Sequence, residues 1–243
     1  MKLYTLGTSH GATEVGRACS GNLLVVGEAS YLFDCGGGVE GKMTDLGLTI
    51  GSIRCVFLSH MHEDHAGNLS AIAKRFAVYI KTGERLKMFF PEEVGIAAFR
   101  AWLAALHFGE NDHLEYALVR EGEIYSDENI TVSAIATRHM SGGRFPSFAY
   151  LIEAEGKRML YTGDLAPDFS DYPEIVFKEE FDLILSELVH FDPERNLDTI
   201  AKSRTKRLIF THISLKKAAY IETVADRFPF PVEVAEDNRE YEI

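Results

Sequence analysis

The 243-residue chain reads as an α/β protein in which two β-sheets pack together with helices outside. Three observations predict this. Short β-branched and aromatic runs cluster near the N-terminus, and each half of the chain then alternates such runs with helical spacing. A composition of 46% hydrophobic and 26% charged residues with 20 glycines is that of an ordinary folded chain. A protein of this size removes roughly 72% of its extended surface from water on folding, which supplies a full core.

The elements follow in order. Lys2 to Leu6, Asn22 to Val26 and Tyr31 to Asp34 are expected strands separated by glycine-containing turns, the last two paired antiparallel. Ile53 to Leu58 is a strand leading into a histidine-rich turn, and Leu69 to Phe76 has helical spacing. In the second half Ile130 to Ala136, Phe148 to Glu153, Arg158 to Tyr161 and Leu183 to Leu185 read as strands. They are followed by a helix over Pro193 to Lys202, a strand at Leu208 to Phe210, a helix over Lys217 to Phe228 and a strand at Val232 to Val234. No internal repeat or linker interrupts the pattern, so residues 1–243 are expected to form one domain. Pro91 to Leu106 departs from the rhythm: Pro91 stands at an expected first helical turn, with Glu92 and Glu93 where the helix dipole favours anions. Its apolar residues, among them Val94, Ile96, Phe99, Trp102 and Leu103, cover more than one face, which predicts a helix buried on several sides. Two accounts of it stand: a core helix, or, with Phe89, Phe90 and Phe108, a lid over a site or a homodimer contact.

The balance of 25 Lys+Arg against 37 Asp+Glu gives a formal charge of −12. Nucleic acid is disfavoured as a partner, because sequence-independent binding to it is driven by cationic side chains displacing counterions. Cys19, Cys35 and Cys55 are odd in number without C-x-x-C spacing, so neither a disulfide framework nor a thiolate metal site is indicated. No apolar run reaches the ~20 residues of a membrane span, and no secretory leader opens the sequence, so a cytoplasmic chain with no membrane contact is expected.

The chemistry concentrates in Ser59-His60-Met61-His62-Glu63-Asp64-His65-Ala66-Gly67, where three imidazoles and two carboxylates fall at the junction of a strand and a helix. His60 and His62 on an extended turn point the same way, and a helical start brings Asp64 and His65 beside them. Such a cluster can hold two adjacent cations; nitrogen and oxygen donors without thiolate suit zinc, with iron or manganese as alternatives. Further donors stand at other strand ends: His139, Asp164 in a T-G-D turn, and His212 in F-T-H. Each alone also reads as an ordinary turn residue.

These motifs, H-x-H-x-D-H with the later His139, T-G-Asp164 and T-His212, resemble the metallo-β-lactamase superfamily. The early Gly7-Thr8-Ser9 run, with Arg17, Ser20 and the Asp34-Cys35-Gly36 turn, is similar to the branch containing ribonuclease Z and related phosphodiesterases. The resemblance implies a four-layer αβ/βα sandwich with a two-metal cleft at one sheet edge. It assigns one metal to His60, His62 and His139, the other to Asp64, His65 and His212, with Asp164 bridging and Asp34 supporting the metal loop. The bridging residue is Asp and not the Cys of the zinc β-lactamases, and His62 stands where the flavin-linked di-iron members carry Glu.

The resemblance therefore implies a dinuclear metal-dependent hydrolase, expected to cleave phosphodiester bonds in a small or nucleotide-like substrate through a metal-bridging hydroxide. Asp64 is expected to accept the proton of the attacking water. In Ser186-Glu187-Leu188-Val189-His190, ribonuclease Z carries a His-Glu pair; here Ser186 replaces that His, and His190 is the candidate leaving-group acid, against a reading as a capping or surface histidine. Glu187 is suited to orient a ligand histidine. In the loop after His139, Arg144 and Ser141 are candidates for substrate binding, against a reading as an ordinary hairpin. His10, His107 and His113 have no assigned role, though His10 stands beside the Gly7-Thr8-Ser9 turn. Ribonuclease Z grips tRNA with a long basic arm, whereas the corresponding insertion here, around 81–115, is short, apolar and net acidic. The rivals are an ester, lactone or thioester hydrolase on the same metals, a tRNA 3′-processing nuclease, and a metal-bound sensor without catalysis.

Overall fold

The computed structural model describes residues 1–80, 83–108 and 111–243. Lys81, Thr82, Gly109 and Glu110, which fall within the expected insertion, lie outside the described residues. The first half contains β1 (Lys2–Gly7), β2 (Gly21–Val26), β3 (Ala29–Phe33), α1 (Val39–Asp45), β4 (Ile53–Phe57), α2 (Glu63–Ala66), α3 (Leu69–Lys74), β5 (Leu86–Phe90), α4 (Glu93–Ala105) and β6 (Leu114–Leu118). The second contains β7 (Gly122–Ser126), β8 (Ile130–Ala136), β9 (Phe148–Ala154), β10 (Lys157–Tyr161), β11 (Leu183–Glu187), α5 (Pro193–Ile200), β12 (Leu208–Thr211), α6 (Leu215–Val224), β13 (Val232–Val234) and β14 (Arg239–Glu242).

Among the described residues the strands form two seven-stranded sheets, ordered β14-β1-β2-β3-β4-β5-β6 and β13-β12-β11-β10-β9-β8-β7. β2 and β3 pair antiparallel, Asn22 opposite Phe33. β3 to β6 run parallel, as do β10 to β13. Because successive strand side chains face opposite ways, Tyr31 and Phe33 enter the core between the sheets while Leu32 enters the layer beneath α1 and α3. Leu160, Ile184 and Phe210 likewise turn outward to meet Leu197 and Ile200 of α5 and Ile221 of α6. The layers run helix, sheet, sheet, helix, which is the αβ/βα sandwich.

A ladder of rings fixes the centre. Phe57 stacks on Phe33 at 5.1 Å and on Phe89 at 4.8 Å, and Tyr150 from the other sheet lies 5.8 Å from Phe57. The Tyr150 hydroxyl donates to the Leu58 carbonyl at 2.6 Å, just before the histidine turn. All three cysteines are free and buried. Among the described residues no helix is long and apolar enough to cross a membrane.

Two expectations are corrected. Helix α4 begins at Glu93, with Glu92 as its extended N-cap, so Pro91 lies outside the helix; its ring nitrogen ends the β5 ladder instead. Nor is α4 buried on several sides: it crosses from β5 to parallel β6 and packs through Gly95 and Leu103, while Val94 and Trp102 are more than half exposed. Phe89 and Phe90 are buried in the cores, where they cover no cleft.

Phe57→Ala removes the middle ring of the stack and is expected to lower stability by about 3 to 5 kcal/mol, read as a fall in the urea unfolding midpoint at unchanged slope.

Candidate metal centre

Ligands in sheets with parallel strands gather beyond the strands' carboxyl ends, and the titratable cluster lies there. Asp34 follows β3, Ser59 to His65 follow β4, His139 follows β8, Asp164 follows β10, Glu187 ends β11 and His212 follows β12. The turns need unusual backbone. Gly163 has φ +55°, and a Cβ there would lie 2.8 Å from both the Phe148 carbonyl and the Ser59 Cβ, so the T-G-D turn requires glycine. Asp34 and His212 adopt φ of 61° and 45°, a conformation that costs non-glycine residues about 1 to 3 kcal/mol and persists only where neighbours enforce it.

The donors converge in two groups. His62 Nδ1 lies 2.9 Å from His60 Nε2 and 3.3 Å from His139 Nε2. Asp64 Oδ2 lies 3.5 Å from His65 Nε2 and 3.8 Å from His212 Nε2. Asp164 stands between them: its Oδ2 is 3.6 Å from His60 and His139 Nε2 and 3.5 Å from His212 Nε2, while Oδ1 is 3.3 Å from His65 Nε2.

Hydrogen bonds outside the cluster set the orientation of each ring. Carbonyl oxygens only accept, so His139 Nδ1 donates to Leu165 and His212 Nδ1 to Ser9, which leaves each Nε2 with its lone pair inward. Ser20 Oγ also contacts His212 Nδ1 at 2.8 Å. The Ser59 hydroxyl donates to Asp34 Oδ2 at 2.8 Å, so its oxygen accepts from His60 Nδ1 at 3.0 Å and frees His60 Nε2 in the same way. Asp34 further accepts from His65 Nδ1 at 2.7 Å, from Tyr161 at 2.6 Å and from the Ser59 amide at 2.7 Å. Burial pushes His60, His139 and His212 below the ordinary imidazole pKa, toward the neutral form that binds metals. Burial also opposes ionisation of Asp164, but the His212 and His65 rings outweigh it and hold the carboxyl well below its usual range.

His65 Nε2 and Asp164 Oδ1 are buried without any hydrogen-bond partner. Converging lone pairs around a buried carboxylate, with two orphaned atoms at the centre, fit a divalent cation held by nitrogen and oxygen. The same residues group as His60, His62, His139 and Asp164; Asp64, His65 and His212; and Asp164, His190 and His212, each within 4.8 Å.

A family model described as anti-Pycsar protein Apyc1 matches residues 1–219. The chain belongs to that family. It is similar to ribonuclease Z of Brevibacillus brevis, 31% identical over 154 residues, which are 63% of this chain and 47% of that protein. The chain thus spans about half the length of the curated relatives it matches. Among solved structures it is similar to the short form of human tRNase Z, with TM-score 0.77 and 22% identity over 100% of this chain and 99% of the other. It is also similar to the metallo-β-lactamase fold protein YhfI of Bacillus subtilis, with TM-score 0.79 and 20% identity over 99% of each. The fold is that of the metallo-β-lactamases.

The region matched by the Apyc1 family includes all seven donors and the residues beside them. Glu187 is buried and does not touch a ligand ring directly. Its Oε1 accepts from the Leu165 amide at 2.9 Å, and the Leu165 carbonyl receives His139 Nδ1, so Leu165 bridges Glu187 and the His139 ring. The same oxygen lies 3.0 Å from His190 Nδ1. His190 thereby sits over the centre, its ring 4.4 Å from His139 and 5.7 Å from His212. Burial lowers its pKa, but the Glu187 hydrogen bond and charge outweigh this and raise it above the ordinary value. The capping task belongs instead to Asp192, whose side chain accepts from the Glu194 amide. Lys217 of α6 donates to the Val189 and Phe191 carbonyls on either side of His190, a clamp the sequence pattern did not indicate. Arg144 and Ser141 are exposed, Arg144 lying 5.4 Å from the Phe145 ring centroid and Ser141 at φ 50°. His10 faces Glu14 at 3.6 Å.

Gly36 presses against the metal loop: a Cβ there would fall 1.9 Å from the Asp64 carbonyl oxygen. Gly36→Ala is expected to reduce the zinc retained per folded chain after dialysis, measured by atomic absorption, whereas Gly41→Ala, whose Cβ meets nothing within 4 Å, leaves it unchanged.

Proposed function

We propose that this metal-dependent hydrolase cleaves phosphodiester bonds in a small or nucleotide-like substrate. The observation that carries the reading is the donor set: five imidazoles and two carboxylates in two groups, with the Asp164 carboxylate between them and no thiolate among the donors. His60, His62, His139 and Asp164 would hold one cation, and Asp64, His65, His212 and Asp164 the other. Nitrogen and oxygen donors suit zinc, and manganese or iron accept them as well. A pair of such cations lowers the pKa of a water and neutralises charge developing on the oxygens of a displacement.

The remaining steps belong to the chain. Asp64, at the edge of its group, accepts the proton of the attacking water. His190 holds Nδ1 against Glu187 and is one-quarter exposed, so Nε2 is the atom that delivers a proton to the leaving oxygen. Arg144, five residues beyond His139 and free in solvent on a glycine-bearing loop, is the cationic side chain that takes a substrate phosphate, with Ser141 beside it. A small substrate suits a chain of net charge −12 whose crossover helix exposes Val94, Trp102 and alanines toward solvent, since a polynucleotide backbone is gripped by cations. Residues 1–243 act as one domain in this reading, with 81–115 as its helical insertion.

Zinc- or manganese-loaded protein is expected to hydrolyse bis-p-nitrophenyl phosphate in preference to p-nitrophenyl acetate and lactones; ester turnover without phosphodiester turnover would overturn the substrate class. Asp64→Ala is expected to abolish turnover and weaken one bound cation, and retention of a near-normal rate would remove Asp64 from the mechanism. His190→Ala should lower kcat by roughly 10² to 10⁴ with metal content unchanged. A change below threefold would return His190 to a structural role.

A further inference from the structure

We propose that Asp237, on the segment joining β13 to β14, is a positioning residue for the His212 side of the metal centre. Asp237 lies beyond residues 1–219 that match the family, and its side chain is 5% exposed. Its Oδ1 accepts from the Thr8 amide at 3.0 Å and the Thr8 hydroxyl at 2.8 Å. Its Oδ2 accepts from the Ala18 amide at 2.6 Å and pairs with Lys42 Nζ of α1 at 3.1 Å. Thr8 and Ala18 flank the loop 9–17, and the Ser9 amide closes its neck by donating to the Ala18 carbonyl at 3.0 Å. One carboxylate therefore grips both ends of that loop.

The gripped end is what holds the ligand. The Ser9 carbonyl receives His212 Nδ1 at 3.1 Å, and the Thr8 carbonyl receives the Ile213 amide at 3.1 Å. Arg17 ties the same strand ends, donating to the Thr8 carbonyl at 2.6 Å and the Ile213 carbonyl at 2.8 Å. His212 adopts φ 45° and needs that support to keep Nε2 aimed inward. The Asp237 segment is itself fixed, since Thr5 Oγ1 donates to the Glu236 carbonyl at 2.6 Å and the Ala235 amide to the Phe210 carbonyl at 2.7 Å. Thr8 and Ser9 thus link the Asp237 carboxylate to the His212 ring on one side, and Ala18 to Ser20, whose hydroxyl lies 2.8 Å from His212 Nδ1, link them on the other. In Asp237→Asn an amide NH2 would replace one acceptor and face an amide N–H or the Lys42 ammonium, so the clamp opens on one side.

The inference rests on the two-cation reading, and the test separates the two. Full-length parent and Asp237→Asn are titrated with zinc against a chromophoric chelator, with far-UV circular dichroism and Tm as the check on folding. Loss of an outer partner of a ligand histidine weakens metal binding 10- to 100-fold. Asp237→Asn is therefore expected to lose that factor for one zinc per chain and to hold the other within threefold. Lys42→Met, which leaves the carboxylate in place but removes its ammonium partner and that ammonium's bond to the Gly16 carbonyl of the same loop, is expected to weaken the same zinc, and serves if Asp237→Asn does not fold. Glu240→Gln, which removes the charge that pairs β14 with Lys2 away from His212, is expected to leave both affinities within threefold. Unchanged affinities in Asp237→Asn and Lys42→Met, or an equal loss in Glu240→Gln, overturn the inference. A parent chain that binds no zinc overturns the cation reading itself and this inference with it.

Discussion

The centre depends on one electrostatic constraint: a buried carboxylate, Asp164, toward which the His60, His139 and His212 rings turn their lone pairs. A charge removed from water is costly unless paired, and Asp164 Oδ1 has no hydrogen bond. The rings nearest it cannot all supply protons, because His60, His139 and His212 are held toward neutrality by burial and have committed their Nδ1 protons elsewhere. Acceptors facing acceptors at 3.5 to 3.6 Å repel. Positive charge among them removes the conflict, and divalent cations supply it without demanding a proton from any ring.

Everything around this cluster enforces an arrangement that would otherwise relax. Asp34 accepts four hydrogen bonds from Ser59, His65 and Tyr161, which fixes both the start of the β4 loop and one ligand ring. Its own φ of 61° is the conformational cost of reaching them. Close backbone approach does similar work: Gly7 admits the Cys19 carbonyl to within 1.7 Å of where a Cβ would stand, and Gly36 admits the Asp64 carbonyl. Local strain of about 1 to 3 kcal/mol per residue is tolerable only because the inter-sheet core holds the strand ends rigidly.

What the sequence made legible follows from the same physics. The H-x-H-x-D-H run packs four donors into one turn, and no ordinary surface need explains that density. His139, Asp164 and His212 were found by their places after apolar strands. Strands with alternating apolar residues and a buried face, such as Ile130–Ala136, are legible to the residue, and the short Val232–Val234 is marked by its paired valines. β7 (Gly-Glu-Ile-Tyr-Ser) and β14 (Arg-Glu-Tyr-Glu) are not legible, because edge strands with few buried side chains carry little periodic signal. Helix α1 is hidden by the three glycines at 36–38 and by Gly41, which depress helical propensity, Gly36 and Gly38 at positions of close packing. Ser59, Tyr161 and Asp237 hold the centre from outside, and nothing in their local pattern announces contacts that only the sandwich creates. The α4 pattern misled for the opposite reason: alanines made the helix look apolar all round, although only Gly95 and Leu103 are fully buried.

The two sheets contribute unequal and complementary halves of the centre. The first supplies the β4 loop with His60, His62, Asp64 and His65; the second supplies His139, Asp164 and His212 from the ends of β8, β10 and β12. Neither half alone contains both sides of either donor group, since Asp164 and His139 complete the first and His212 the second. Four hydrogen bonds that cross between the sheets lie at this edge: Tyr161 to Asp34, Tyr150 to the Leu58 carbonyl, the Phe148 amide to the Ser59 carbonyl and the Ile213 amide to the Thr8 carbonyl. A cation that binds the assembled centre and not the separated halves must stabilise their docking by mass action. The aromatic core and the metal centre are in this sense one device, the first setting the distance between the sheets and the second depending on it.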